Sequence, residues 1–550
     1  MQPDDDGVIC RERIKPRKLS KSQNIVHRLR NREHFGYKTD ISYLEFYQNV
    51  YPNLTVANIE KPACYLRKFS PCGRYLIAFS SDQASLEIYE FRGCSAAGEL
   101  INEWTDEVVP NINKDRAYEI RNKLFDKLFR LKHVVNMDSS EKQLNRECSL
   151  FCNDGKHVIV GAAILISDDL RPHFYELYTN NEFISTTANC PLEDYTLYII
   201  DLIDGRITDS IEFKIDKIIL SHNQGLYLYN DTLAVLSIQH QTIHIYHILD
   251  GTFMHVRQIG RFCCNEEQFL YTSTSLNTNR AFREPTINSL KHRILVYLYQ
   301  QAKFKTEEGD RVALRKFYQN FDQYLGLRMW KIQLLDEDHL LIKYSSEEVV
   351  TLKVHEPNSH TSFFVIYNIW EKKILAVYNN VSEELLYLFE NFCDSFRNAK
   401  LSSNSQWTCS PSNNIYANLL HQRFKQTIIS AKGGGTIEAT KRINAQLPIS
   451  AQSYSSSPYL DLSLFRYDDK WVSIMERPKA ASEFPIRFFA RDSDLLRFRI
   501  HAVQKSGLPG RRLVAFCFHP FQPFAISVQR INTDYIVNFH LWSSNVRMMK

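Results

Sequence analysis

Apolar and polar positions alternate with period two in short runs along much of the chain, and most runs end at a polar turn. Between Tyr65 and Phe91 this pattern predicts three strands. YLRKF leads into Ser70-Pro71-Cys72-Gly73, where proline at the second turn position and glycine at the fourth suit a tight type I turn. RYLIAFS and SLEIYEF follow, with Leu86 and Ile88 on one face. The plan returns at Phe516–Leu541: Phe69 corresponds to Phe518, Pro71 to Pro520 and Ile77 to Ile526, and YIVNFHL is the outer strand. A third copy starts at Phe151, with Asn153-Asp154-Gly155-Lys156 as its turn, HVIV as a strand and Tyr195–Leu202 as a delayed outer strand. Looser copies cover Leu226–Ile248, then Met329–Ser345 with Phe363–Tyr378, then Leu462–Glu476 with Ile486–Arg491.

One such sheet cannot bury both faces alone, so its repetition predicts sheets stacked around an axis. A pair of sandwiches is the alternative. The matching first and last copies favour a closed ring in which both termini complete one blade. Helical periodicity interrupts the strands at Glu284–Phe304 (Ile287, Leu290, Ile294, Leu295, Leu298) and at Asp310–Leu325 (Leu314, Phe317, Phe321, Tyr324). It returns at Ser382–Asn398, which begins with a cap residue and two glutamates and carries Leu385, Phe389, Phe392 and Phe396. Asn414–Ala431 adds Leu419, Leu420, Phe424 and Ile428 before Gly433–Gly435 ends it. These faces are expected to pack on the sheets or on one another, with a partner-binding groove as the lesser reading.

The expected fold is therefore mainly β: a seven-bladed or eight-bladed β-propeller with α-helical insertions and an N-terminal helical segment. Residues 1–40 form the basic N-terminal segment and 41–550 the propeller, with insertions near 284–325 and 382–445. In the N-terminal segment, Ser20 and Gln23 have capping-box spacing and Gly36 suits a helix C-terminus. Ile25, Val26 and Leu29 make one narrow apolar face between them, away from Arg28, Arg30 and Arg32. An isolated helix of about 15 residues is marginal in water, so it needs a dock, on its own domain or on another protein.

Composition narrows the classes. With 44% hydrophobic and 13% aromatic residues, whole-chain disorder is excluded. A net charge of +5 over 550 residues is low for a dedicated nucleic-acid binder, and aromatics alternating inside strands mark core rather than stacking platforms. Positive charge is local: Arg11, Arg13, Lys15, Arg17, Lys18 and Lys21 precede the helical arginines, with Glu12 as the acid among them. Such a run suits nuclear import, an acidic partner or a solvated tail. The start has no apolar h-region and no stretch reaches about 18 apolar residues, so neither a secretory signal nor a membrane span is expected. The 12 cysteines are expected to be reduced, and Cys148, Cys152, Cys263 and Cys264 lack the paired spacing of a zinc site.

No motif of catalysis is present: no G-x-S-x-G, H-E-x-x-H, Walker loop or G-x-G-x-x-G. Ala431-Lys-Gly-Gly-Gly-Thr places its lysine before the glycines, unlike a phosphate-cradling loop. Asp468 and Asp469 sit at a predicted hairpin turn, and His222 and His519 are expected to be structural, His222 as a buried residue. A non-catalytic chain is expected, needing no cofactor, metal or small-molecule substrate.

One segment is too particular for a generic blade: Gln446–Pro478, QLPISAQSYSSSPYLDLSLFRYDDKWVSIMERP. It resembles the De-etiolated 1 homologs. Lys61–Glu90, Leu144–Phe151, Leu220–Tyr229, Ile287–Leu298 and Val514–Arg530 agree, so the resemblance runs from about Ile14 to Leu541. It departs in the acidic N-terminal tip, in the loops near 98–116 and 166–190, and at Leu401–Ser412. The resemblance implies a substrate-receptor or scaffold subunit of a cullin-4-type RING ubiquitin ligase. Such a subunit binds the damaged-DNA-binding adaptor and its small associated subunit. It helps recruit a ubiquitin-conjugating enzyme and the constitutive-photomorphogenic RING ligase, promoting ubiquitination and degradation of transcription factors in the nucleus and also the cytoplasm.

The Ser20–Gly36 helix is similar to the short H-box by which propeller receptors enter the adaptor's cleft. That implies Ile25, Val26 and Leu29 as buried anchors, with Arg28, Arg32 and Glu33 at the rim. The alternative for the helix is a cap on the propeller's own face. The alternative for the protein is a chromatin-associated propeller reading basic histone tails through an acidic face.

Overall fold

The computed structural model describes residues 46–102, 114–137, 142–167, 182–184, 192–263, 289–351, 357–398, 415–452, 455, 457–467, 486–500, 512–531 and 534–543. Short β1 (Leu54–Val56) comes first. The first sheet is β2 (Cys64–Phe69), β3 (Tyr75–Ser80), β4 (Ser85–Phe91) and β5 (Phe129–Asn136). The second is β6 (Gln143–Phe151), β7 (His157–Leu165), β8 (Glu193–Asp201) and β9 (Arg206–Asp216). The third is β10 (Leu226–Tyr229), β11 (Thr232–Ser237), β12 (Thr242–Leu249) and β13 (Thr252–Ile259). The fourth is β14 (Leu327–Leu334), β15 (His339–Ser346), β16 (Ser362–Asn368) and β17 (Lys373–Asn379). The fifth has three strands, β18 (Phe465–Arg466), β19 (Ile486–Ala490) and β20 (Leu496–Ile500). The sixth is β21 (Arg512–Phe518), β22 (Phe524–Ile531) and β23 (Asp534–Leu541), with β1 added at its edge.

All pairings are antiparallel meanders, so the mainly-β class is observed. The turns form as their residues require. In Ser70-Pro71-Cys72-Gly73, the Gly73 N–H donates to Ser70 O at 2.8 Å, and Ser70 Oγ accepts from Tyr75 N at 3.0 Å. Gly73 has φ of +72°, and a Cβ there would lie 2.5 Å from the His519 ring. Glycine is needed at this position for both reasons. In the third copy, Asp154 Oδ1 accepts from Lys156 N and His157 N, closing the turn.

The two matching copies are neighbours in space as well as in pattern. His519 Nε2 meets Gly73 O at 2.9 Å, joining the two corresponding turns. Leu54, Thr55 and Val56 pair with Leu541, His540 and Phe539. Phe69, Phe91 and Phe129 share a core with Phe524 and Phe539. Further cores link the first sheet to the second and the second through the fourth. The fifth and sixth share another.

Helices fill the remaining stretches. Helices α1 (Gly98–Asn102) and α2 (Lys114–Leu128) lie between β4 and β5. Helices α3 (Ser289–Glu307), α4 (Ala313–Gln319) and α5 (Phe321–Leu325) precede β14, and α6 (Glu347–Val350) follows β15. Helices α7 (Glu383–Asn391), α8 (Cys393–Phe396), α9 (Ile415–Ser430) and α10 (Thr436–Asn444) separate the fourth sheet from the fifth. Leu385, Phe389 and Phe396 are buried with Leu341 and Phe364 of the fourth sheet, while Ala417 joins the core of the fifth.

Six sheets occur among the described residues, and the described stretches directly after β17 are helical, with α7 and α8 covering the fourth sheet. Three expectations change. Helix α2 was not anticipated, although Ile120, Leu124 and Leu128 make a buried i, i+4 ridge. The glycine run ends α9 as expected, but α10, which begins immediately after Gly435, was not anticipated as a helix within the insertion. Phe392, Leu419 and Phe424 were placed on packed faces and are exposed, at 48%, 52% and 45%. Phe392 falls at the break between α7 and α8, where its direction leaves the shared face.

Candidate functional site

Ile25, Val26, Arg28, Leu29, Arg32 and Glu33 lie outside the described residues, as does the Asp468–Asp469 turn. The described chain enters the fold at Phe46–Tyr51, against the segment Ser457–Tyr467. The Tyr459 hydroxyl donates to Val50 O at 2.7 Å, and Gln48 Nε2 donates to Leu464 O at 3.2 Å. Tyr47 meets the Tyr459 ring edge-on at 5.7 Å, and Tyr51 stacks on Phe498. Tyr459 is fully buried, so this entry point is part of the core.

The residues between α10 and Ser457 have an unusual path. The first strands of neighbouring sheets adjoin (β2 beside β21 and β6, β10 beside β14), and the side of the fold that these first strands line is termed the hub. Leu447 and Ile449 pack with the fourth sheet, and the Ile449 N–H donates to Gln333 Oε1 on β14 at 2.8 Å. Three residues later, Gln452 reaches the second sheet. Its Oε1 accepts from Phe151 N at 2.9 Å and its Nε2 donates to Phe151 O at 2.6 Å, a side-chain amide copying one rung of a ladder. Lys68 Nζ on β2 donates to Gln452 O at 3.2 Å. Leu447–Gln452, within the segment on which the family resemblance rests, is thus a strap across the hub, tied to three sheets.

Charge on these first strands is mostly positive. β2, β6, β14 and β18 carry Arg67, Lys68, Arg146, Arg328, Lys331 and Arg466, with Glu147 as their acid. On β14 the register slips between Met329 and Lys331, so Trp330 is the extra residue of a bulge. Lys331 then pairs across to Lys343 on β15. The two Nζ atoms lie 4.7 and 4.8 Å from the centre of the same Trp330 ring, and Lys343 also sits 5.2 Å from Phe364. Lys343 is 2% exposed. Burial, and then the neighbouring Lys331, pull its ammonium down to about 7. Burial also lowers Lys331. The sequence does carry a signal for this pair, a lysine inside each of two otherwise apolar strands of one hairpin, MWKIQLL and HLLIKYS.

Two other ion clusters are architectural. Glu182 Oε2 accepts from Lys291 Nζ on α3 at 2.6 Å and from Arg328 Nη1 at 3.0 Å. Lys291 also donates to Leu325 O and Leu327 O, fastening α3 to β14. Glu390 on α7 accepts from Lys425 Nζ at 2.9 Å and pairs with His421 Nε2 at 3.1 Å, both on α9. Burial pushes the Glu390 carboxyl up, but the hydrogen bonds from His421 and Lys425 outweigh it and bring it to about 2. Its folded value thus lies below the ordinary 4.5, so this cluster stabilises the fold fully above about pH 4.5 and loses that contribution as pH falls toward 2. A Glu390→Gln variant is expected to be less stable at neutral pH. The gap in denaturation midpoint from wild type should narrow between about pH 5 and 3.

The remaining candidates settle into structural roles. His519 is buried, and burial lowers it to about 4, so it is neutral where it meets Gly73 O. His222 differs from expectation: its side chain is 40% exposed, at a backbone φ of +54°, and pairs with Glu147 at 3.3 Å. The turn at Ser221–Asn223 buries Asn223 instead, whose amide bonds to Ser149. Cys148 and Cys152 are buried and their thiols pushed up to about 12, as core sulfurs are. Among the described residues no three His, Cys, Asp or Glu side chains cluster as metal ligands.

These features define a mainly-β scaffold of meander sheets, strapped across its hub and carrying a helical insertion. The family model described as De-etiolated protein 1 Det1 matches residues 146–543, and the chain belongs to that family. The light-mediated development protein DET1 of Solanum lycopersicum is 30% identical over 519 residues, covering 90% of this chain and 94% of that protein. Its counterpart from Arabidopsis thaliana is 29% identical over 537 residues, with the same coverage. Among solved structures, the β-propeller domain of Myceliophteria thermophila Cps50 (Swd1) aligns with 89% of this chain and 99% of that one, at 9% identity and a TM-score of 0.32.

Proposed function

We propose that the six described sheets are blades of one seven-bladed or eight-bladed β-propeller, closed where β1 from the N-terminal side completes the sheet of β21–β23. On that scaffold the protein acts as a non-catalytic substrate-receptor or scaffold subunit of a cullin-4-type RING ubiquitin ligase. It binds the damaged-DNA-binding adaptor with its small associated subunit. It helps bring a ubiquitin-conjugating enzyme and the constitutive-photomorphogenic RING ligase to transcription factors in the nucleus, and also in the cytoplasm. The observation carrying this reading is membership of the De-etiolated family across residues 146–543, with plant relatives aligned over 90% of the chain. The mechanism is proximity: holding partners together raises their effective concentration with no bond made by this chain.

Two features support a role in holding proteins. The insertion between the fourth and fifth sheets exposes Leu419, Phe424 and Ile437, apolar side chains suited to a recruited protein. The first strands are basic, which counts against the histone-tail alternative, since a basic tail needs an acidic hub.

The adaptor contact is assigned to the helix of Ser20–Gly36, with Ile25, Val26 and Leu29 as anchors and Arg28, Arg32 and Glu33 around them. Leu29→Asp in the full-length chain is expected to weaken adaptor capture at least tenfold, about 1.4 kcal/mol or more, while leaving the thermal midpoint unchanged. Full retention by the variant would remove the helix from the interface. Failure of the wild-type chain to capture the adaptor would end the ligase reading itself.

A further inference from the structure

Lys331 and Lys343 present two ammonium groups to one indole ring, and no carboxylate answers them. Neither makes a hydrogen bond or ion pair to a protein group among the described residues. Their neighbours are Trp330 and Phe364. A charge removed from water is normally paired and hydrogen-bonded, and two like charges side by side raise the penalty further. The other buried lysines among the described residues have polar partners: Lys291, beside Arg328, has Glu182, and Lys68 donates to Gln452 O. The pair on β14 and β15 is the exception, and it sits at a bulge, where a strand re-aims its side chains.

A third donor lies on the same face. Ser345 is two residues beyond Lys343 on β15, fully buried, and its hydroxyl has no partner. Lys331 is half-buried on a first strand, while Lys343 and Ser345 on the neighbouring strand are buried. Two ammonium groups and a hydroxyl match the several lone pairs of a tetrahedral oxyanion.

We propose that Lys331, Lys343 and Ser345 form a binding site for a phosphate group at the hub, carried either by free phosphate or by a small phosphomonoester. Bound there, the anion supplies the missing counter-charge and stiffens the fourth sheet beneath the helical insertion. Its binding is thereby coupled to the stability of the whole chain.

Isothermal titration of the full-length protein with inorganic phosphate, and separately with glycerol phosphate, tests this, alongside thermal midpoints. Saturable binding with Kd of about 1 mM or tighter is expected for at least one of them, together with a raised midpoint. Preference for inorganic phosphate identifies the free ion, and preference for glycerol phosphate identifies an ester. Lys343→Met should weaken binding at least tenfold. It should not lower the midpoint of the ligand-free protein, because replacing an unpaired buried charge by an apolar chain is neutral or stabilising. Lys331→Met, at the more open position, provides the same binding readout should Lys343→Met fold poorly. Absence of saturable binding for both probes overturns the proposal, as does wild-type affinity in Lys331→Met.

Discussion

Replacing Phe524 with alanine is expected to lower stability by about 3–5 kcal/mol, read as a fall in the chemical denaturation midpoint. Phe524 is fully buried, and its ring lies 5.1 Å from Phe91, 5.3 Å from Phe539, 5.9 Å from Phe129 and 6.1 Å from Phe69. Three of those neighbours belong to the first sheet and one to the sixth, so the ring fills the seam where the ends of the chain meet. Stiff sheets on both sides cannot collapse into the void, which places the cost at the upper end for such truncations. Phe521→Ala, three residues away at 42% exposure, is the control and should change stability by no more than about 0.5 kcal/mol. Equal effects of the two would mean that the seam is not a packed core.

The second large effect is expected at Glu182. Removing its charge by Glu182→Gln leaves Lys291 and Arg328 buried without their shared carboxylate, a loss of about 3–5 kcal/mol. Lys291 already has its ammonium drawn down to about 8 by burial, with Glu182 holding it up against the repulsion of Arg328. Without that carboxylate it is driven toward the neutral amine. The denaturation midpoint of Glu182→Gln should therefore recover as pH rises from about 7 to 9, whereas wild type should change less. A double variant that also carries Lys291→Met should regain part of the loss at neutral pH, because the unanswered ammonium is gone and Arg328 keeps Glu347 at 3.6 Å. If the single variant matches wild type at pH 7, the cluster does not fasten α3 to β14.

Both predictions concern groups whose partners lie far away in the sequence, and this separates what was legible from what was not. The six strand copies were readable because alternation is a local record of burial, and a turn such as Ser70–Gly73 depends on four adjacent residues. Each copy falls on one sheet over its described residues, with Asp468–Glu476 of one copy lying outside them. Helix starts were readable for the same reason, as at Ser382, whose hydroxyl caps Leu385 N at 3.3 Å. Helix α10 was missed because three glycines mask a restart: Gly435, at φ of +124°, is the N-cap of a helix rather than the end of one. Helix α2 was missed because its ridge of Ile120, Leu124 and Leu128 is set among nine charged or polar neighbours that dilute the apolar signal.

The candidate sites divide in the same manner. The family-specific segment was visible as a string of residues, but nothing local shows that Ile449 and Gln452 tie three sheets together. Lys331 and Lys343 were visible as lysines in apolar strands. Their shared ring depends on a one-residue slip at Trp330, which no alternation pattern contains.

What the sequence determined by itself, then, was the content of this protein: meander sheets, polar turns, helical insertions, a basic N-terminal segment and membership of a family. The tertiary structure alone decided which elements meet. It set β1 against β23, the Gly73 turn against His519, the strap across the hub, and two lysines on one indole with no acid beside them. The physical reason is one of range. Periodicity and turn chemistry are fixed by neighbours a few residues apart, while core partners and counter-charges are chosen among surfaces that many sequences could present equally well.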